Sequence, residues 1–328
     1  MLNEKVFVTR QLHQDAIDML EKAFSEVDVW SGTFPPTPLE LIERSKGCIG
    51  LVTAVTEKID GTFLDEIPSL KVVSNIATGF DNFDLSAASL RGVLMTNTPG
   101  ILEETTADLT FALILSIARR IFEASKDAAL GRWGPWDPHK WLGQDIHHRT
   151  LGIVGLGRIG QQVAKRAKGF DMKVIYTAKR RHRETELGMG LHYAETLLAL
   201  LEDSDFVSLH VPLTADTYHM INAAAIARMK PTAYLINTSR GEIIDQPVLI
   251  DALNQGVISG AALDVMTPEP LPSDHSLYRM NNVILTPHIG SATLATRRNM
   301  AMLAVENVIA ACKGEPVLGA LNQLGGNT

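Results

Sequence analysis

Short runs of β-branched and aliphatic residues alternate with stretches of helical periodicity along most of the chain, the pattern of parallel sheets joined by crossover helices. In the first part, Val6–Thr9, Cys48–Val52, Val72–Asn75 and Val93–Thr96 predict strands, and His13–Phe24, Pro38–Ser45 and Asp84–Leu90 predict helices between them. A long apolar pattern from Thr105 to Leu130 follows. It is apolar nearly all round at its start, which predicts a helix buried between domains or subunits. The stretch Gly131-Arg132-Trp133-Gly134-Pro135-Trp136 cannot be regular structure. A second alternating run predicts strands at Leu151–Val154, Lys173–Thr177, Phe206–His210, Ala233–Asn237, Gly260–Leu263 and Val283–Thr286, enough for a complete doubly wound sheet. A last helix, from about Ser291 to Cys312, lies beyond the final strand and is expected to pack back onto the first domain.

Composition narrows the class without changing this outline. The 328 residues suit two ordinary domains, and 45% hydrophobic with 20% charged residues belongs to a globular chain. A formal net charge of −7 lacks the broad basic footprint of nucleic-acid binding. The most apolar stretch, Leu109 to Ala118, is about ten residues, half a membrane span, so no membrane partner is expected. Two cysteines, Cys48 and Cys312, make neither a disulfide framework nor a thiolate metal cage, and no metal is expected. With no charged-then-apolar leader before Val6, the expected location is cytoplasmic.

Gly155-Leu156-Gly157-Arg158-Ile159-Gly160 is G-x-G-x-x-G between a predicted strand and a predicted helix. In that setting the first glycine permits the tight turn, the second lets a pyrophosphate approach the backbone, and the third lets helix and strand pack closely. The second strand of this domain ends Tyr176-Thr177-Ala178-Lys179-Arg180-Arg181, with no acid before Glu184. An NAD enzyme usually places a carboxylate there for the ribose 2′-hydroxyl, whereas Lys179, Arg180 and Arg181 would attract a 2′-phosphate. NADP(H) is therefore expected over NAD(H), which stays possible; the alternative is a solvated basic turn.

In open α/β sheets chemistry lies beyond the carboxyl ends of the strands. Arg240 follows one predicted strand in Asn237-Thr238-Ser239-Arg240-Gly241, Glu269 the next in Pro268-Glu269-Pro270, and His288 the one after in Thr286-Pro287-His288-Ile289-Gly290. Reduction of a keto acid needs a proton for oxygen as hydride reaches carbon; an imidazole backed by a carboxylate supplies it, and a guanidinium can grip the carbonyl or carboxylate oxygens. Among ten histidines, His210 in Leu209-His210-Val211-Pro212 also ends a strand, and position alone leaves His288 near even with a structural role. His210 is expected to line the cofactor groove.

The segments Gly155–Gly160, Asn237–Gly241, Leu263-Asp264-Val265 with Pro268-Glu269-Pro270, and Thr286–Ser291 together resemble the D-isomer-specific 2-hydroxyacid dehydrogenase family, and within it the glyoxylate/hydroxypyruvate reductases. The resemblance implies His288 as proton donor, Glu269 as its partner and Arg240 as substrate binder. It implies that the backbone of Thr78 and Gly79, in Ala77-Thr78-Gly79-Phe80-Asp81-Asn82, holds the substrate carboxylate, though by turn chemistry alone this is equally a plain turn. It places Thr106 beside the nicotinamide, where a capping role for Thr105 or Thr106 is as good on local grounds, and Asp264 near the carboxamide. Thr177, Pro212, Thr217, Thr238, Ser239 and Gly290 complete the expected cofactor-binding set. The implied fold is α/β: two doubly wound parallel-sheet domains, a Rossmann dinucleotide domain over 101–287 inserted in a flavodoxin-like substrate domain over 1–100 and 288–328. A homodimer is implied through a helix and arm at 105–145, with Trp141 the candidate for reaching the neighbouring subunit's site.

The expected activity is hydride transfer from NADPH to the keto carbon of a small 2-oxo acid such as glyoxylate or hydroxypyruvate. Four alternatives stand beside it. A 2-ketogluconate or other 2-hydroxyacid dehydrogenase of the same family is one. Phosphoglycerate dehydrogenase and formate dehydrogenase relatives are weakened by the lack of a regulatory domain past Cys312 and by Glu where the latter carry Gln. A dinucleotide-sensing corepressor would keep the fold as a binding module.

Overall fold

The computed structural model describes residues 1–324, so residues 325–328 of the expected substrate domain lie outside the described residues. The chain divides into two compact units, one from Met1–Leu102 together with the segment from Ser291 onward, the other Glu103–Gly290. His288, Ile289 and Gly290, expected at the start of the returning segment, fall in the second unit.

The first unit is a five-stranded parallel sheet in the order β2-β1-β3-β4-β5, with β1 Leu2–Val8, β2 Phe24–Val29, β3 Cys48–Thr53, β4 Val72–Asn75 and β5 Leu94–Thr96. This is the flavodoxin-like winding. Apolar clusters cover both faces, as a parallel sheet requires. Helix Pro38–Ser45 begins with a capping box, Thr37 and Glu40 satisfying each other's backbone N–H groups. Helix Leu294–Lys313 returns to this unit and packs on β3, β4 and helix Gln14–Ala23. A Cβ on Gly50 of β3 would sit 2.7 Å from Val308 Cγ1, so glycine there lets that helix lie close.

Two elements differ from expectation here. The predicted helix to Phe24 ends at Ala23, and Phe24–Val29 is an edge strand whose polar Ser25 and Glu26 hide its alternation. A short helix, Gly61–Glu66, starts where Asp60 accepts the Phe63 N–H.

The second unit is a seven-stranded parallel sheet in the order β12-β11-β10-β9-β6-β7-β8. Its strands are β6 Thr150–Val154, β7 Lys173–Thr177, β8 His192–Tyr193, β9 Phe206–Leu209, β10 Tyr234–Asn237, β11 Gly260–Leu263 and β12 Val283–Leu285. The two-residue edge strand β8 adds to the six predicted. Strand order reverses between β6 and β9, the position where such sheets bind nucleotides.

The apolar pattern from Thr105 to Leu130 is two helices, Glu103–Ala118 and Ile121–Ala129, not one. The break is at Arg120, in a left-handed conformation (φ 52°) with its guanidinium on Glu123 and over the Trp141 ring. No glycine or proline announces it. Because the first helix already begins at Glu103, Thr105 and Thr106 lie inside its first turn and not at the N-cap position.

Candidate active site

The loop from β6 into helix Arg158–Ala167 uses its three glycines for three different reasons. Gly155 has φ 97°, and a Cβ there would meet the His210 carbonyl oxygen at 2.5 Å. A Cβ on Gly160 would meet the Gly155 carbonyl oxygen at 2.2 Å, so helix and loop touch backbone to backbone. A Cβ on Gly157 would meet nothing within 4 Å. Gly157 is also the helix N-cap and carries no side-chain cap, leaving the helix N–H groups for a ligand. Leu156 is buried in the apolar cluster beneath, Ile159 packs against that cluster, and Arg158 sits 3.9 Å from Glu103. Open space above one glycine and helix N–H groups without a cap fit a dinucleotide pyrophosphate.

The Thr177 carbonyl, at the end of β7, accepts from the Gly155 N–H at 2.8 Å. Lys179 is exposed, within 3.4 Å of Asp216, and Arg180 is exposed. Arg181 differs from its neighbours. Its Nε and Nη2 donate to Glu186 at 2.9 and 2.6 Å, and its guanidinium lies over the Tyr193 ring. Tyr176 also donates to Glu186, so Arg181 is paired within this unit.

His210 follows β9, its Nε2 2.8 Å from Ser208 Oγ. Burial pushes its imidazole down to about 3, so it stays neutral and is no rival proton donor near neutral pH. In the next turn Thr217 donates to the Pro212 carbonyl at 2.6 Å and accepts the Thr214 N–H.

Arg240, Glu269 and His288 stand after β10, β11 and β12. Fully buried Asn237 shapes the first loop: its Nδ2 donates to the Arg240 carbonyl at 2.8 Å, and its Oδ1 accepts from the Ser239 N–H and hydroxyl at 3.0 and 2.7 Å. Thr238 Oγ1 lies 3.1 Å from Thr110 Oγ1. A Cβ on Gly241 would fall 2.2 Å from the Met266 carbonyl, so only glycine lets the Arg240 loop lie against the loop that bears Glu269. Gln246 clamps that second loop, donating to the Thr267 carbonyl at 2.7 Å and accepting the Thr267 N–H at 3.0 Å.

Glu269 accepts from the Met266 N–H through Oε1 at 2.9 Å and pairs through Oε2 with His288 Nδ1 at 2.9 Å. Burial works to raise its carboxyl, but the His288 bond and charge, the Met266 N–H and the Arg240 charge outweigh it and hold Glu269 below its ordinary range. Arg240 is thus close enough to be felt at the His288–Glu269 pair. With Nδ1 held, Nε2 is the His288 nitrogen left to meet a substrate. The His288 backbone is left-handed (φ 52°), uncommon for a non-glycine residue.

Asp264 holds that conformation. Its Oδ1 accepts from Thr286 Oγ1 at 2.6 Å and the Ile289 N–H at 2.8 Å, and its Oδ2 from the Gly290 N–H at 2.8 Å. The His288 N–H donates to the Asp264 carbonyl at 2.9 Å. Burial pushes the Asp264 carboxyl up, against Thr286, the Ile289 N–H, the His288 charge and the Gly290 N–H. Expected near the carboxamide, this carboxylate is engaged on the His288 loop. A Cβ on Gly290 would be 3.2 Å from Asp264 Oδ2 and 3.5 Å from Thr106, which places Thr106 beside that loop.

In the first unit, the Thr78–Gly79 loop has each of its carbonyls held. Ala77 O accepts from the Thr98 N–H (2.9 Å), Thr78 O from Asn97 Nδ2 (2.7 Å) and Gly79 O from Asn75 Nδ2 (2.9 Å). The Thr78 and Gly79 N–H groups make no hydrogen bond among the described residues. Two donors side by side suit a carboxylate.

In the 131–142 segment, Trp133 and Trp136 are 85% and 87% exposed, and the Trp141 ring carries Arg120 and Lys140, each 5.3 Å from its centroid. Among the described residues no cluster of His, Cys, Asp or Glu is placed to hold a metal, and no helix is long and apolar enough to cross a membrane.

No role was assigned from the sequence to Asn237, Gly241, Gln246, Asn75 or Asn97. Asn237 alone carried a local signal, an Asx turn in Asn-x-Ser; the others act through partners distant in the chain.

The model of the D-isomer specific 2-hydroxyacid dehydrogenase NAD-binding domain matches residues 111–290. The chain is 46% identical over 323 residues to a glyoxylate reductase of Korarchaeum cryptofilum, covering 98% of this chain and 97% of that one. The fold superposes with a TM-score of 0.90 on the TT0316 protein of Thermus thermophilus, at 43% identity over 97% of this chain and 99% of that one. It is also similar to an NADPH-dependent glyoxylate/hydroxypyruvate reductase of Sinorhizobium meliloti, solved with NADP and malonate, at a TM-score of 0.86 and 30% identity over 98% of both chains.

Proposed function

Because the chain belongs to the D-isomer specific 2-hydroxyacid dehydrogenase family, we propose that it reduces glyoxylate or hydroxypyruvate to the corresponding 2-hydroxy acid, with NADPH preferred over NADH. The observation that carries the reading is the His288 Nδ1 to Glu269 Oε2 pair at 2.9 Å, with the Arg240 charge acting on it. A bound nicotinamide supplies the hydride. Everything else falls to side chains and backbone. His288 holds a proton at Nε2 and releases it to the keto oxygen as charge develops there. Glu269 orients the ring through Nδ1 and stabilises the imidazolium before transfer. Arg240 binds and polarises the same oxygen or the carboxylate, and it keeps its charge throughout. The Thr78 and Gly79 N–H groups bind the carboxylate. Two neutral backbone donors do this without adding a titrating group.

NADPH preference rests on Lys179 and Arg180, both exposed after β7 with no carboxylate at the strand end. The reductases of K. cryptofilum and S. meliloti named above support glyoxylate and hydroxypyruvate as the compounds to try first. A homodimer through the 105–145 region, with exposed Trp133 and Trp136 covered by a second copy, fits the same family. The test is a panel of 2-oxo acids assayed with NADPH and with NADH. Oxidation of NADPH on addition of glyoxylate or hydroxypyruvate is expected; no turnover with any 2-oxo acid would leave only a dinucleotide-binding module.

A further inference from the structure

The substrate-carboxylate loop of the first unit is aimed by residues that touch no substrate. A trans peptide points its C=O and the following N–H to opposite sides of one plane, and the peptides of residues 77–80 are all trans. Holding one carbonyl therefore sets the direction of the next N–H. The Thr98 N–H on Ala77 O sets the Thr78 N–H, and Asn97 Nδ2 on Thr78 O sets the Gly79 N–H. Asn75 Nδ2 on Gly79 O locks the exit from the loop and also reaches Asn82 Oδ1 at 3.1 Å.

Asn97 is itself seated with care. Its N–H donates to the Gly319 carbonyl at 3.0 Å, and its own carbonyl accepts from Asn307 Nδ2 at 3.3 Å. Gly319 has φ 75°, and a Cβ there would lie 2.5 Å from Asn97 O and 2.7 Å from Asn97 Oδ1. Asn97 and Asn75 are 6% and 0% exposed, and Asn97 donates to a loop carbonyl whose peptide partner points its N–H away. A carboxylate of similar size would not serve the same end: an ionised Asp in this position could only accept, and it would repel the Thr78 carbonyl.

We propose that Asn97, backed by Asn75, is a positioning residue for recognition of the substrate carboxylate, acting by fixing the direction of the Gly79 N–H. The inference rests on the 2-oxo acid activity proposed above. It makes Asn97 a determinant of acid over ester, since only a charged carboxylate gains fully from two aligned donors.

The test compares wild-type protein with Asn97→Asp and with the uncharged Asn97→Leu, using glyoxylate and methyl glyoxylate with NADPH. Both variants should raise KM for glyoxylate by about tenfold or more, the loss of a charge-assisted bond that binds ground and transition states alike. The maximal rate should fall far less, NADPH affinity should hold, and the preference for acid over ester should shrink. Asn322→Ala serves as the structural control. Asn322 fastens Val93 and Met95 in the same unit, so its variant should melt lower while keeping the KM for glyoxylate. Should neither Asn97 variant fold, Gly319→Ala presses on the Asn97 seat from outside and should produce the same loss of acid preference. Unchanged KM in the folded variants, or equal losses for acid and ester, would overturn the role of Asn97. Wild-type protein inert towards every 2-oxo acid would instead overturn the activity itself.

Discussion

Alanine at Gly160 and alanine at Gly157 perturb one six-residue motif and should give opposite results. At Gly160 the added Cβ would stand 2.2 Å from the Gly155 carbonyl oxygen and 3.3 Å from Ile153 Cγ2, against an ordinary contact of about 3.5 Å or more. Backbone has to move by over an ångström, and overpacking of that kind costs about 1–3 kcal/mol, offset by at most about 1 kcal/mol of better helix propensity. In a unit of this size about 1–2 kcal/mol lowers Tm by roughly 2–8 °C. At Gly157 the backbone is ordinary (φ −73°, ψ −166°) and the Cβ would meet nothing within 4 Å. Its Tm without nucleotide should stay within about 1 °C of wild type. The methyl group then occupies the space left for the pyrophosphate, and NADPH should bind about tenfold more weakly or worse, roughly 1.4 kcal/mol. Thermal melts without nucleotide and titration of NADPH fluorescence separate the two. A Gly157→Ala protein that binds NADPH like wild type, or a Gly160→Ala protein that melts like it, would refute the division of labour.

His288→Gln should lower kcat by about 10²–10⁴, the usual worth of a general acid, while NADPH affinity changes little; near-normal turnover would remove His288 from the proton-donor role. Glu269, held below the ordinary carboxylate range, stabilises the fold as a carboxylate above that range and loses this as pH falls through the lowered folded value. Its side chain is 34% exposed, so solvent screening limits the effect to about 1 kcal/mol. Glu269→Gln should therefore melt below wild type at pH 7, with the gap closing on acidification below the ordinary carboxylate range; a gap constant to pH 3 would count against the pair. Joint replacement of Lys179 and Arg180 by alanine should weaken NADPH at least about tenfold more than NADH. Arg181→Ala should instead remove the contacts Arg181 makes with Glu186 and the Tyr193 ring and leave the NADPH to NADH ratio alone.

What could be read in the chain beforehand divides by range. Strands such as Lys173–Thr177 and Gly260–Leu263 are continuous apolar runs buried on both faces, and their bounds agree with the structure. Arg240, Glu269 and His288 became candidates because each follows a strand in a parallel sheet, where strand ends share one edge, but position alone left His288 no better than even, and the family resemblance supplied the roles. The strand Phe24–Val29 escaped because an edge strand with Ser25 and Glu26 exposed looks like the tail of a helix. The break at Arg120 escaped because tertiary partners, Glu123 and the Trp141 ring, hold a conformation that arginine does not announce. Arg181 shares its charge and position with Lys179 and Arg180, and only the fold reveals that Glu186 has taken it. The same holds for Gly241, whose need for a bare Cα arises from a loop some 25 residues further on.

The first unit is made from both ends of the chain, and this orders its assembly. Strands β3 and β4 have one face covered only when Leu294–Lys313 arrives, and the seat of Asn97 waits for Gly319. On the ribosome, the second unit has all its strands by Leu285, while the first must hold its apolar face exposed until Leu294–Lys313 has emerged. A nascent chain halted before the last helix would thus carry a finished nucleotide fold beside an unclosed sheet, a natural client for a chaperone.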